Sequence, residues 1–172
     1  MKSLATLQEL LIDEMRDLYS AETQLVKALP KLSEAASAEP LRQAFKNHLV
    51  ETEGHVARLE QAFEVLGVAA RPKTCKAMEG LIAEGEDTIN LHTDPAIRDA
   101  ALIGAAQRVE HYEIAGYGTA RAFAQTLGLD EVTRLFTSTI EEEGLTDKKL
   151  TALAASINEE ALSATPVRFP EV

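Results

Sequence analysis

Sulfur and indole chemistry are nearly missing from this chain: of 172 residues one is cysteine and none is tryptophan. A single cysteine, Cys75, excludes an intramolecular disulfide and a Cys-x-x-Cys zinc site. It also leaves a reducing cytoplasm as the expected compartment. Glycine (9) and proline (6) are scarce, so long stretches lack the punctuation of turns and favour helix. No run approaches the roughly 18 apolar residues of a membrane span, and no membrane partner is expected. The opening MKSLATLQELLIDEM turns polar too soon for a signal peptide. Basic residues are in the minority: 17 Lys and Arg stand against 28 Asp and Glu, a net charge of -11. Nucleic acid, whose phosphates such a surface repels, is not an expected partner. Neither a phosphate loop nor a nucleophile triad can be found.

What remains is a helical vocabulary. Apolar residues make up 45% and charged residues 26%, the balance of a folded domain. The length suits one domain with a real core, expected over residues 1–162, with 163–172 as an extended tail carrying two prolines.

Four long amphipathic stretches follow the 3, 4 spacing of one helix face. The first runs from about Thr6 into the early thirties, with Leu7, Leu11, Met15, Leu18, Glu22, Leu25 and Leu29 on its stripe. Pro30 is expected to kink or end it. The second starts near Pro40 and reaches about Gly67, burying Phe45, His48, Thr52, His55, Leu59, Ala62 and Leu66, with Glu51 beside Thr52. The third opens at Asp94-Pro95, an acid cap followed by proline, and ends near Leu127 before Gly128. Its row is Ile103, Ala106, Glu110, Glu113, Tyr117, Ala120, Ala124 and Leu127. The fourth is expected to be capped by Asp130 and carries Val132, Phe136, Thr139, Glu143, Thr146, Leu150, Leu153 and Ile157. Residues 74–92 form a shorter amphipathic helix, with Met78, Leu81, Ile82, Ile89 and Leu91 to lay against the bundle. It falls where a crossover between two parallel core helices is needed.

The chemistry lies in acids placed on apolar stripes. Glu22 is the one charge among leucines. Glu51 and His55 are four apart, and Glu110 and Glu113 three apart, so each pair shares a face. Glu143 adds a fourth helix. Five carboxylates and one imidazole aimed at one interior repel strongly unless cations are present. Two divalent ions would almost balance them, and oxygen-rich ligation with histidine suits iron or manganese. His48, two turns before His55, is expected to support the ligands. Tyr112 and Tyr117 are expected as core or rim residues, His92 and His111 as exposed, and Cys75 as a residue without a partner.

The segments YSAETQL, HLVETEGHVARLEQ, AAQRVEHYEIAGYG and EEEGLTDKKLTALA, in this order, resemble the YciE/YciF family of small ferritin-like proteins. EHYE is also similar to a third-helix motif of rubrerythrin-type proteins. The resemblance spans about residues 5–160. It implies an all-α, ferritin-like four-helix bundle with an extra short helix in a long crossover, a homodimer, and a link to stress responses. A full di-iron pattern would carry Glu-x-x-His on two helices. Here Thr52 stands three before His55, and Thr146 three after Glu143, with Asp147 as a possible substitute. Two functions are therefore expected: a stress-response protein binding two metal ions with oxidase- or peroxidase-type chemistry, or a degenerate non-enzymatic bundle serving as a dimeric structural or partner-binding protein.

Overall fold

The computed structural model describes residues 4–164, and among them there are five helices and no strand. They are α1 (Leu7–Ala35), α2 (Glu39–Val65), α3 (Lys76–Ile89), α4 (Pro95–Thr126) and α5 (Asp130–Ala164). Among the described residues no helix is long and apolar enough to cross a membrane.

Helix ends follow local chemistry. Thr6 and Glu9 form a reciprocal capping box at α1. Asp94 caps α4 by accepting from the Ala96 amide at 2.9 Å. Gly67 and Gly128, at φ 65° and 69°, take the left-handed turns that end α2 and α4. The start of α2 lacks a local side-chain cap. Asp99 of α4 supplies one across space, accepting from the Ser37 and Ala38 amides at 2.9 and 2.6 Å.

Three expectations need correction. Pro30 does not end α1, which continues past it to Ala35. The ring faces solvent, where water can satisfy the carbonyl it leaves without a donor. Asp130 is the first residue of α5 and not its cap, because the chain turns at Gly128 and Leu129 directly precedes the helix, with Thr133 donating to the Leu129 carbonyl. Leu91 lies beyond the end of α3 and is exposed, not part of its buried face. As for the tail, Ser163 and Ala164 still belong to α5, and residues 165–172 lie outside the described residues.

α1 packs on α2, α2 on α5, α5 on α4 and α4 on α1, closing a ring of four helices. α3 lies against α1 and α4. Two apolar clusters fill the ring. One holds Leu11, Met15, Leu18, Leu59, Phe63, Tyr117 and Phe136; the other holds Leu25, Leu29, Leu41, Phe45, Leu102, Ile103, Leu150 and Ile157. α2 and α4 run from the second cluster to the first, whereas α1 and α5 run the opposite way. The helices α2 and α4 are thus parallel, which is why the chain needs the long crossover that carries α3. This is the ferritin-like arrangement. Between the two clusters the stripes turn polar on all four core helices.

Candidate metal centre

The polar layer is fully enclosed. Glu22, His55, Glu113 and Glu143 are 0% exposed, Glu110 1% and His48 3%. Their donor atoms form two groups, each within 4.8 Å: His48, Glu110, Glu113 and Glu143 in one, Glu22, His55 and Glu143 in the other. Glu143 belongs to both, the position of a bridging carboxylate. The imidazoles stand side by side, 6.5 Å between ring centres.

Each side chain arrives on the inward face of its helix. His48 and His55, seven residues apart on α2, point into the same layer two turns apart. Glu110 and Glu113 share a face of α4 for the reason read from their spacing. His48 Nε2 lies 3.2 Å from Glu110 and 3.9 Å from Glu143. His55 Nδ1 lies 2.9 Å from Glu143 and 3.5 Å from Glu22, without hydrogen-bond alignment. The other nitrogen of His55 meets Glu142 at 2.9 Å, and Glu142 is held by both terminal nitrogens of Arg58 at 2.7 and 2.6 Å. Tyr117, fully buried, donates to Glu22 at 2.5 Å.

Buried polar atoms are almost always partnered, and leaving one alone costs about 1–3 kcal/mol. Here eight are not: Glu22 Oε2, His48 Nε2, His55 Nδ1, Glu110 Oε2, and both carboxylate oxygens of Glu113 and of Glu143. They converge on one layer, and all are ligand-type atoms. The donor set therefore fits a pair of hard or borderline cations. Its four carboxylates and two neutral imidazoles would be matched in charge by two divalent ions.

Without cations the cluster holds protons. Burial pushes the Glu113 carboxyl well above its ordinary range, and the neighbouring Glu22, Glu143 and Glu110 push it further. Glu110 rises to about 8, burial again outweighing the attraction of His48. Burial raises Glu22 as well. Burial would lower the His55 imidazole, but the adjacent carboxylates of Glu143 and Glu22 outweigh it and raise it to about 10. In His48, too, burial is overcome, chiefly by Glu110. Glu143 is the exception: facing both imidazoles, it is lowered despite its burial.

Five of the six residues singled out from the sequence, Glu22, His55, Glu110, Glu113 and Glu143, meet in this layer, together with His48. Glu51 does not join them. It is half-buried at the side, accepting from Thr146 at 3.1 Å and Lys149 at 3.3 Å, with His48 Nδ1 at 3.5 Å. Thr52 turns its hydroxyl back to the His48 carbonyl. Asp147 accepts from Gln107 outside the cluster. Glu142 had no sequence signal, since it sits in an acidic run that reads as surface. Contrary to expectation, Cys75 has partners: its sulfur accepts from the Met78 amide and lies 2.9 Å from the Tyr112 hydroxyl. Tyr112 in turn donates to Asp17.

Comparison with known proteins now adds ancestry. The family described as a domain of unknown function, DUF892, matches residues 6–163. Protein YciF of Escherichia coli strain K12 is 45% identical over 161 residues, covering 92% of this chain and 97% of YciF. The chain belongs to the DUF892 family, the YciE/YciF proteins. The crystal structure of the E. coli stress protein YciF matches with a TM-score of 0.88, covering 91% of this chain and 99% of that one. YcfI from Rhodopseudomonas palustris, for which a structural role is suggested, matches at 0.85 with 41% identity, over 87% of this chain and 96% of its own. A Xanthomonas campestris protein, 19% identical with a TM-score of 0.74, covering 92% of this chain and 98% of its own, shares the fold alone. The molecule is thus a homologue of a stress protein, with a buried cluster of acids and histidines whose donor atoms lie close enough together that they could hold a metal ion.

Proposed function

We propose that this protein binds a pair of iron or manganese ions between its four core helices and serves in a stress response through redox chemistry on oxygen or peroxide. One observation carries the reading: eight buried, unpartnered ligand atoms converge on one layer. Glu143 would bridge the two positions. His48, Glu110 and Glu113 would complete one, and Glu22 and His55 the other. A bound pair of such ions would supply electrons for two-electron reduction of a small oxidant. The chain's own residues set the surroundings. Arg58 and Glu142 fix the His55 ring so that Nδ1 faces inward. Tyr117 holds Glu22 in place. The apolar clusters above and below exclude bulk water. Loading requires the protons held by Glu110, Glu113 and the imidazoles to leave.

A second reading is a metal-free structural bundle. It is favoured by the contacts between the imidazoles and carboxylates and by the structural role suggested for YcfI. Elemental analysis of protein purified without chelator separates the two. About two iron or manganese ions per chain, lost in Glu110→Ala/Glu113→Ala, supports the first reading. Absence of metal after anaerobic Fe²⁺ loading sinks it.

A further inference from the structure

We propose that a cleft between α2 and α5 is the route by which divalent cations reach the buried cluster, with Glu51 as the carboxylate that receives them at its mouth. The inference rests on the reading of that cluster as a metal centre. The cleft is narrow, with room for about one water-sized species. Its outer wall carries the exposed Asn47 and Lys149, and its inner wall carries His48 and Glu110. The inner two are 3% and 1% exposed, and each contributes an unpartnered atom, His48 Nε2 and Glu110 Oε2.

Glu51 stands between these walls. Its carboxylate touches the solvent side through Lys149 and the inner side through His48. That is the position of a relay carboxylate, and it explains why an acid in helical register with His55 is not part of the enclosed layer. The ammonium of Lys149 occupies the mouth at 3.3 Å, with the Lys149 side chain 54% exposed. A pair with one partner exposed and the other half-buried, at the rim of the bundle, is weak, about 1 kcal/mol, so an arriving divalent cation can displace it. A cleft presenting one carboxylate to solvent also concentrates cations and speeds their capture. Near His55, by contrast, the Glu142 carboxylate is engaged by His55 and by both terminal nitrogens of Arg58, so that side is latched.

Stopped-flow mixing of the metal-free full chain with Co²⁺, followed by its visible absorbance, reads the loading rate and the final stoichiometry separately. Glu51→Gln is expected to slow loading by about tenfold while reaching the wild-type stoichiometry. Glu51→Asp, which keeps the charge, restores most of the rate, and Lys149→Ala accelerates loading. Circular dichroism melts of each variant show whether the bundle is intact. Equal rates for wild type and Glu51→Gln overturn the proposal. So does a lower final stoichiometry in Glu51→Gln, because Glu51 would then be a resident ligand. A wild-type chain that takes up no Co²⁺ at all refutes the metal centre itself, and the route falls with it.

Discussion

Replacing Glu113 by glutamine separates a metal site from a structural polar cluster by the sign of its effect. Glu113 is 0% exposed, both of its oxygens lack partners, and burial raises its pKa well above 4.5. The folded metal-free protein therefore keeps a proton that the unfolded chain releases above about pH 4.5. Each pH unit through that window lowers wild-type stability by up to about 1.4 kcal/mol. Glutamine has no proton to lose, and its amide finds acceptors in the surrounding carboxylates. As pH rises from 5 to 7 the metal-free Glu113→Gln protein should thus gain on wild type, by up to about 1.4 kcal/mol per pH unit. For a chain of this size that is at most about 3–6 °C in melting temperature per pH unit. Added Mn²⁺ should offset that advantage: at 100 times its dissociation constant it stabilises wild type by about 2.7 kcal/mol, and the variant by far less. The assay is thermal unfolding by circular dichroism at pH 5, 6 and 7, with chelator or Mn²⁺. A variant less stable than wild type at every pH, with an unchanged response to Mn²⁺, would refute the reasoning.

Other consequences are equally open to measurement. Metal affinity should climb with pH, since the protons on Glu110 (pKa about 8) and His55 (about 10) must leave on loading. Calorimetry of Mn²⁺ binding in buffers of different ionisation enthalpy should register proton release near neutral pH, and a buffer-independent enthalpy would contradict it. Glu142→Gln weakens the carboxylate that orients His55. It should cost about tenfold or more in metal affinity with little change in metal-free melting. Asp99→Ala removes the cross-helix cap from the Ser37 and Ala38 amides and should cost about 1–3 kcal/mol in urea unfolding. A loss below a few tenths would show those amides to be satisfied by water.

The stripes could be read because a helix buries one face, and burial selects apolar residues at 3, 4 spacing whatever lies opposite. Charges on such a stripe stand out for the same reason, which is how Glu22, His55, Glu110, Glu113 and Glu143 could be picked from the chain. The position of residues 74–92 supplied the crossover, and family resemblance the ferritin-like bundle around it. Reading faltered where one residue shifts a side chain by about 100° around the helix axis. Glu51 and Thr52 both lie near the stripe, and only the position of α5 decides that Glu51 meets Thr146 and Lys149 at the rim. His48 had the register of a ligand, yet a buried histidine without a visible partner is ordinarily a core residue.

The amino-acid order by itself determined the five helices, their inward faces and the acid-rich layer, because these follow from local periodicity, caps and breakers. Tertiary structure alone decided which acids meet. Glu143 touches both groups, Glu142 reaches back to His55, Asp99 caps a helix 60 residues away, and Glu51 is left at the edge. Those relations depend on the rotation and offset of one helix against another, set by packing summed over the whole core, and no single segment carries that sum.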